Sequence, residues 1–378
     1  MPNQKILTIF GTRPEAIKLA PIILKLKTEN SIESIICSTG QHKEMLNQVL
    51  EIFSMKSDID LNLMKPNQSL AALSISGLKH ISEVLNEFKP DLLLVQGDTT
   101  TAFISALAAY YLKVNVGHVE AGLRSYNLNS PYPEEANRRF ISIIAKYHFA
   151  PTGIAYNNLI NEGVLPQHVY VTGNTVVDAL EGAKKRMSLM EKEIEESFYR
   201  LLNKSFFDKE FVLITLHRRE KFGSEFAELF HTLKELSTEN PDINFIYPVH
   251  LNPNVSLPVK EILGDVKNIF LTPPLDYLKF LFLMSKCSFI MTDSGGIQEE
   301  CYVFSKPVMV LRDVTERMEA IDAGYGFLVG SNSSNVKRVF YEIKEKLLES
   351  YNFFSSKNPF GDGKAAERII DILKSENL

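Results

Sequence analysis

Short apolar runs alternate with longer amphipathic stretches along the chain. The apolar runs of the first half are KILTIF, IESIICSTG, DLLLVQGD, NVGHVEAG, YHFAP and VYVTG. Runs of this length, rich in Ile, Leu and Val, are typical of buried parallel strands, and each stretch between them is long enough for one crossover helix. The pattern therefore predicts a parallel sheet wrapped by helices.

A helical and highly charged segment follows Gly173 and interrupts this alternation. The pattern then restarts with FVLITLHR, NFIYPVHL, NIFLTPP, CSFIMTDSG, PVMVLRD and GFLVG. The two series predict an α/β fold with two Rossmann-like, doubly wound domains, which we expect at 1–173 and 174–361. Residues 362–378 read as an amphipathic last helix, which we expect to pack back on the first domain.

Composition narrows the class of protein. With 45% hydrophobic and 23% charged residues, and without an apolar run of about 18 residues, the chain is typical of a soluble globular protein. The stretch MPNQKILTIFG lacks a basic leader, so we expect a cytoplasmic location. A net charge of -5 provides no general attraction to nucleic acid or to an anionic membrane. We therefore expect a small-molecule partner.

The residues also argue against a metal site or a tightly held cofactor. The three cysteines have no paired spacing, and the eight histidines show no HExxH-like spacing. GTRPEA contains one glycine where a dinucleotide fingerprint needs three, and the chain contains no GKS or GKT phosphate loop. We expect no cofactor and no metal built into the protein.

Polar residues follow several predicted strands, at the edge where open α/β sheets bind ligands. Those that suit an anion stand in GTRPEA, LHRRE and TDSGGIQEE, each close to the start of a predicted helix. They are Gly11, Arg13, His217, Arg218, Arg219, Ser294, Gly295 and Gly296. Ser294 is expected to cap its helix, and Glu300 on that helix is expected to reach the paired hydroxyl groups of a sugar.

Carboxylates stand in the first half of the chain at comparable positions. Asp98 and Glu120 follow neighbouring predicted strands, and Glu134 opens a predicted helix. Each one alone also fits an ordinary turn or helix start. Facing carboxylates perturb each other's pKa values and suit acid and base roles, so together they indicate a reaction centre.

In these residues the chain resembles the bacterial non-hydrolysing UDP-N-acetylglucosamine 2-epimerases over nearly its whole length. The matching blocks are FGTRPEAIK, TGQHKEML, VQGDTTT, GHVEAGLRS, PEEANRRF, TGNTVVDAL, LHRRE, PVHLNPNV, TDSGGIQEE and LRDVTER. The resemblance implies a glycosyltransferase-B type fold, with two Rossmann-like domains facing a cleft. It also implies that the protein converts UDP-N-acetylglucosamine reversibly to UDP-N-acetylmannosamine. The implied mechanism is elimination of UDP to give a glycal, followed by re-addition of UDP. The implied role of the product is as a precursor of surface polysaccharide.

The resemblance further implies roles for individual residues. The positions that match catalytic residues are Asp98, Glu120, Glu134 and His217. The positions that match substrate-binding residues are Arg13, Lys18, Phe280, Ser294, Gly295, Gly296, Glu300 and Arg317. Gln41, His42 and Arg218 match a site at which UDP-N-acetylglucosamine acts as an allosteric activator, and a homodimer is implied as well.

Three positions, Tyr132, Lys221 and Met318, depart from the residues usual in the family. They bear on loop closure and regulation rather than on the reaction. Three alternatives stay open: a sugar transferase on the same fold, an epimerase that hydrolyses UDP-N-acetylglucosamine, and a UDP-sugar sensor. A transferase would need a pocket for an acceptor molecule. The hydrolysing epimerases begin with a sequence block different from GTRPEA, and a sensor would need no acidic residues at carbon 2 of the sugar.

Overall fold

A computed structural model describes residues 4–40, 43–63, 68–202, 205–217 and 224–376, without the side chains of 43–45 and 224–225. The chain divides into two compact units. Met1–Ala183 and Phe360–Leu378 form the first unit, and Lys184–Pro359 form the second. Each unit is a parallel sheet with helices between its strands, so the predicted α/β fold with two Rossmann-like, doubly wound units is confirmed.

The described strands of the first unit are β1 (Gln4–Phe10), β2 (Ile32–Ser38), β3 (Ile59–Asp60), β4 (Leu92–Gln96), β5 (Asn115–Val119), β6 (Tyr147–Ala150) and β7 (Val169–Val171). They pair in parallel in the order β3-β2-β1-β4-β5-β6-β7. All six predicted runs form strands. The sequence missed β3, because a strand of two residues is too short to show a period.

The helices of this part of the chain are α1 (Arg13–Leu26), α2 (Lys43–Ile52), α3 (Leu70–Phe88), α4 (Thr100–Tyr111), α5 (Glu134–Ile144), α6 (Gly153–Asn161) and α7 (Thr175–Leu189). They contribute apolar side chains to a core around the central strands, which are almost completely buried. Burial on both faces is expected for a parallel sheet covered by helices.

The second unit contains, in its described residues, strands β8 (Phe211–Thr215), β9 (Asn244–Pro248), β10 (Ile269–Thr272), β11 (Phe289–Thr292), β12 (Val308–Val310) and β13 (Gly326–Leu328). Its helices are α8 (Glu191–Leu201), α9 (Ser224–Glu239), α10 (Pro253–Leu263), α11 (Tyr277–Lys286), α12 (Gly295–Val303), α13 (Met318–Asp322) and α14 (Ser333–Leu348). The strand order is β10-β9-β8-β11-β12-β13, the order of a dinucleotide-binding fold. The six predicted runs of the second half all form strands.

The last helix, α15 (Ala365–Ser375), returns to the first unit and packs on α1. The Asp178 carboxylate in α7 accepts hydrogen bonds from the backbone N–H groups of Ala365 (3.2 Å) and Ala366 (2.9 Å). These bonds hold the start of α7 in the first unit. The division therefore falls after Ala183 rather than at the expected residue 173, and before Phe360 rather than after 361.

Each sheet reverses its strand order once, between β1 and β4 in the first unit and between β8 and β11 in the second. The loops that follow such a pair of strands diverge and leave a crevice at the carboxyl edge, where ligands of open α/β sheets bind. Except for Phe280, which follows β10, the described candidate residues of both halves follow these strands or their neighbours. In the described residues, no helix is long and apolar enough to cross a bilayer.

Candidate functional site

The loop after β1 brings Arg13 to the start of α1. Thr12 is the N-cap, and its side chain and that of Glu15 form a reciprocal capping box. Pro14 lies in the first turn, where its missing N–H leaves no hydrogen bond unmade. Arg13 is half-buried, and no hydrogen bond or ion pair joins its guanidinium group to another described residue. This cation is therefore available to an anionic ligand.

Two candidate residues, Glu120 and Lys18, form a buried ion pair. Glu120 directly follows β5, has a left-handed backbone (φ 65°) and is 8% exposed. Its carboxylate also accepts a hydrogen bond from the side-chain amide of Gln96 and another, at 3.0 Å, from that of Asn174. A buried carboxylate held by one cation and two amides has a defined orientation. Sequence reasoning missed Gln96 and Asn174, although both stand in quoted motifs.

Asp98 lies two residues after the end of β4 and forms an ion pair with Arg138 of α5. Its backbone oxygen accepts a hydrogen bond of 2.9 Å from the side-chain amide of Asn137. Arg138 also lies 3.5 Å from a carboxylate oxygen of Glu135. The helix α5 thus anchors Asp98 through residues that follow Glu134, and these neighbours were missed by sequence reasoning. Arg138 could have been found from its place one helical turn after Glu134.

The loops of Asp98 and Glu120 adjoin each other. The backbone N–H of Gly97 donates to the Val119 oxygen at 3.0 Å, and a side chain added at Gly97 would place its Cβ 3.6 Å from a Glu120 carboxylate oxygen. Gly97 has φ 70°, which glycine adopts without strain. The third candidate acid, Glu134, is the half-buried first residue of α5, where the helix dipole favours a negative charge.

Two buried histidines, His118 in β5 and His148 in β6, lie in the strands next to these loops. His118 lies with its Nε2 atom 2.7 Å from the Gly97 oxygen, so Nε2 carries a proton and donates it to that oxygen. Burial lowers the pKa of His118 to about 4 and that of His148, on the neighbouring strand, to about 3. Both rings are therefore neutral near pH 7, and neither adds positive charge beside the carboxylates.

In the second unit, Asp293 orients His217. The two residues follow β11 and β8, which are paired neighbours in the sheet. The fully buried Asp293 carboxylate accepts the backbone N–H of His217 at 2.8 Å, and its other oxygen lies 3.2 Å from the Nδ1 atom of the ring. The His217 side chain is 43% exposed, so Nε2 is the ring nitrogen left for a ligand. Sequence reasoning chose His217 but not the carboxylate that holds it.

The helix α12 begins at the two adjacent glycines of the SGG motif. Ser294 occupies the N-cap position, but its side chain makes no capping hydrogen bond to this helix, contrary to the expectation from sequence. Its backbone N–H instead donates to the hydroxyl of Thr292 at 3.0 Å. Apart from the adjacent residues and the backbone of α12 itself, no described atom lies within 4 Å of the position that a Cβ would take at Gly296. The N-terminus of α12 is therefore open at Gly296, as an anion site requires.

Arg317 packs against the other glycine and lies in a buried charge network. A Cβ at Gly295 would lie 2.5 Å from Nη1 of Arg317. The Nε group of Arg317 donates to Glu299 at 2.7 Å, and Nη1 donates to Glu316. Arg312 donates to the second oxygen of Glu316 at 2.9 Å. These partners position the Arg317 guanidinium group beside the start of α12.

Sequence reasoning chose Glu300 on α12 and missed its neighbour Glu299. Glu299 is fully buried and bonds to Arg317, whereas Glu300 is half-buried. Helical spacing could have identified Glu299, because it stands four residues after Gly295 and so lies on the same face of the helix.

Two further positions singled out in the sequence lie on helices of the second unit. Phe280 is half-buried on α11, and Met318 is the partly exposed first residue of α13. The candidate allosteric residues Gln41, His42 and Arg218, together with Arg219 and Lys221, lie outside the described residues. In the described part of the chain, no group of three or more His, Cys, Asp or Glu side chains could hold a metal ion.

One α/β unit carries the buried carboxylate of Glu120 beside the partly exposed Asp98, and the other carries an open helix N-terminus near an arginine and a histidine. These features are typical of an enzyme that binds a nucleotide-containing ligand. A family model described as UDP-N-acetylglucosamine 2-epimerase matches residues 24–374. The chain belongs to the UDP-N-acetylglucosamine 2-epimerase family, which confirms the predicted family and its class, the isomerases.

Known members are similar over nearly the whole chain. The UDP-N-acetylglucosamine 2-epimerase of Escherichia coli K12 is 46% identical over 380 residues, covering 99% of both chains. The crystal structure of a Neisseria meningitidis epimerase bound to UDP-N-acetylglucosamine has a TM-score of 0.93 and 47% identity, covering 98% of this chain and 100% of that one. A Methanocaldococcus jannaschii epimerase in complex with UDP-N-acetylglucosamine and UDP has a TM-score of 0.85 and 35% identity, with the same coverage.

Proposed function

We propose that this protein interconverts UDP-N-acetylglucosamine and UDP-N-acetylmannosamine without hydrolysing them. The observation that carries the proposal is the pair of adjoining strand-end loops that present the oriented carboxylates of Asp98 and Glu120. Family membership supports the same reaction, as do two similar structures that contain UDP-N-acetylglucosamine. The acids distinguish this function from a UDP-sugar sensor, which has no need of them.

The second unit is proposed to bind the UDP portion. The diphosphate would approach the open start of α12 at Gly296, where backbone N–H groups and the helix dipole favour an anion. His217 would contact the same group through Nε2, and Asp293, 3.2 Å from Nδ1, would hold the ring in this orientation. Glu300 on α12 would accept hydrogen bonds from the ribose hydroxyl groups.

The first unit is proposed to act on the sugar. The carbon-2 proton is not acidic, so a base cannot remove it until positive charge develops on carbon 1. Departure of UDP from carbon 1 creates that charge, and Arg13 would stabilise the leaving diphosphate. A carboxylate then takes the carbon-2 proton, which forms a glycal and UDP.

Return of a proton to the opposite face of carbon 2, followed by re-addition of UDP to carbon 1, completes the epimerisation. Asp98, Glu120 and Glu134 are the proposed acid and base groups. The buried cation of Lys18 holds the Glu120 carboxylate in a fixed orientation in this scheme.

Deuterium incorporation tests the mechanism. In heavy water the manno product should carry deuterium at carbon 2, because the carboxyl group that accepts the proton exchanges it before returning one. NMR of the product measures this directly. A product that retains its original hydrogen at carbon 2 would refute the elimination mechanism, and the absence of a manno product would refute the assigned activity. Transfer to an added acceptor would instead favour the transferase.

A variant separates the two half-reactions. Asp98→Asn should slow proton return more than bond breaking, so UDP and the glycal should accumulate in solution. The exposed Asp371→Asn on α15 provides a control with the same chemical change. Equal rates for Asp98→Asn and the control would remove Asp98 from the mechanism.

Regulation by substrate is a further part of the proposal and is supported by the motifs TGQHKEM and HRRE. If a second UDP-N-acetylglucosamine molecule binds to Gln41, His42 and Arg218, the rate should depend on substrate concentration in a sigmoidal way. Gln41→Ala should make this dependence hyperbolic while sparing the affinity for UDP. A hyperbolic dependence in the parent protein would exclude the activation.

The homodimer is supported by apolar side chains that are exposed on neighbouring helices of the first unit. They lie on α3, α4 and α5, which pack side by side, and they are Ile75, Tyr110, Tyr111, Phe140 and Ile143. Exposed apolar side chains that cluster on a surface are typical of a protein interface. The cytoplasmic location and the supply of a precursor for surface polysaccharide stay predictions.

A further inference from the structure

Glu15 is a buried carboxylate that the proposed mechanism does not use. It lies in the first turn of α1 and is 1% exposed. Burial raises the pKa of Glu15, and four hydrogen bonds to Gly11, Thr12 and Thr99 oppose that effect by stabilising the charged form. Burial of a carboxylate costs free energy unless hydrogen bonds compensate for the lost water. The hydrogen bonds of Glu15 join the loop after β1 to the loop after β4.

One carboxylate oxygen of Glu15 binds the loop after β1. It accepts the backbone N–H groups of Gly11 at 3.1 Å and of Thr12 at 2.7 Å. The other oxygen accepts the hydroxyl of Thr99 at 2.7 Å. Thr99 is the N-cap of α4, and its hydroxyl oxygen accepts the Ala102 N–H at 3.0 Å. Glu15 therefore connects the starts of α1 and α4.

The two loops also touch at Gly11. A Cβ at this position would lie 2.5 Å from the hydroxyl oxygen of Thr39 and 2.7 Å from that of Thr101, near the start of α4. Only a glycine allows the backbone after β1 to come this close. The hydrogen bonds of Glu15 and this close approach both hold the loop after β1 against the loop after β4.

We call the hydrogen bonds from Glu15 to the two loops the Glu15 bridge. Two residues of the proposed function lie next to it. Arg13 directly follows Thr12, and Asp98 directly precedes Thr99. We infer that Glu15 is a positioning residue, which sets the separation between the cation at the leaving diphosphate and the carboxylate at carbon 2. The inference rests on the proposed function, because it assumes that both groups act on one sugar nucleotide. Elimination needs them aligned together, and a displacement of about 1 Å costs up to roughly 100-fold in rate.

The bridge can be removed without leaving the Gly11 and Thr12 N–H groups unpaired. Thr99→Val deletes the bridging hydroxyl at nearly constant shape, and Thr99→Ser retains it. Because Thr99→Val also removes a helix cap, Ser69→Ala is the matched control: Ser69 caps α3 through the Ala72 N–H at 3.2 Å. Glu15→Gln serves as the conservative variant, since its amide oxygen can accept the backbone N–H groups while its nitrogen donates to Thr99.

Steady-state kinetics and melting temperature should separate positioning from stability. We expect Thr99→Val to lower kcat by about tenfold or more, with KM within about twofold of the parent value. Thr99→Ser and Glu15→Gln should retain most of kcat, and Ser69→Ala should retain all of it despite a lower melting temperature. A kcat within twofold of the parent value for Thr99→Val, or an equal loss in Ser69→Ala, would overturn the inference.

Amide hydrogen exchange tests the bridge independently of activity. In Thr99→Val, exchange at the Gly11 and Thr12 amides should accelerate together with exchange at the start of α4, whereas Ser69→Ala should change neither. Unchanged exchange at Gly11 and Thr12 would overturn the bridge even in an active enzyme. A parent protein without epimerase activity would overturn the proposed function instead, while the exchange result would still decide whether Glu15 couples the loops.

Discussion

The two adjacent glycines at the start of α12 should respond differently to the same substitution. Neither Gly295 nor Gly296 has a positive φ, so alanine can adopt both backbones without strain. In Gly295→Ala the new Cβ would lie 2.5 Å from Nη1 and 2.9 Å from Cζ of Arg317. A free arginine would move away at little cost. This one is buried and bonded to Glu299 and Glu316, so its displacement breaks charged hydrogen bonds.

The size of the effect follows from that contact. Adding a methyl group to a packed site costs about 1–3 kcal/mol, and replacing glycine in a helix returns up to about 1 kcal/mol. The net loss of stability is therefore up to about 3 kcal/mol, which lowers the melting temperature of a unit of this size by up to roughly 12 °C. If Arg317 contacts UDP, as its match to a substrate-binding position of the family implies, loss of that contact should weaken UDP binding by about 10- to 150-fold, which is about 1.5–3 kcal/mol.

Gly296→Ala is the matched control, since beyond the adjacent residues and the backbone of α12 no described atom lies within 4 Å of its added Cβ. This variant should melt at or slightly above the temperature of the parent protein. It should nevertheless bind UDP more weakly, because the open position is where the phosphate is proposed to approach. Thermal unfolding measures the first property, and isothermal titration calorimetry with UDP measures the second.

The reasoning would be refuted if Gly295→Ala melted no lower than the parent protein and bound UDP equally well, since Arg317 would then not be held against Gly295. If Gly296→Ala bound UDP as the parent does, the phosphate would not approach the start of α12. If both variants lost stability equally, the open space at Gly296 would not exist in solution.

Three further predictions follow from individual side chains. Glu300→Ala should weaken UDP binding by about 10- to 150-fold in calorimetry through loss of charged hydrogen bonds, and an unchanged affinity would exclude the ribose contact. Burial lowers the pKa of His118 to about 4 and of His148 to about 3, below the ordinary 6.5, so the unfolded chain binds more protons in acid. The free energy of unfolding should therefore be highest above pH 6.5 and fall as the pH drops from 6.5 towards 4. Urea titrations at several pH values should show a smaller fall in His148→Gln. If the free energy of unfolding fell equally with pH in the variant and the parent, burial of His148 would not be a cause of the fall. Ile143→Lys, at a side chain that is 82% exposed, should yield a folded monomer in light scattering, and a persisting dimer would move the interface elsewhere.

Local features of the molecule were accessible from the sequence. The strands were predicted because each is a continuous apolar run, and their polar ends because a turn and a helix start follow each run at once. Asp98 and Glu120 were chosen for that reason, and their strands β4 and β5 are paired neighbours in the structure. Family motifs identified His217 and Arg317 as well, because each lies within a contiguous block.

The partners of these residues were decided by the tertiary structure. Glu120 meets Lys18 and Asn174, which are 102 and 54 residues away, and Arg317 meets Glu299, which is 18 residues away. Hydrophobic periodicity shows which face of an element is buried, but it contains no information on which two elements lie side by side. Strand order and register determine that, and they depend on packing of the whole sheet. The sequence by itself therefore determined the elements and the chemical groups at their ends, whereas the pairing that orients these groups arose only when the sheets were assembled.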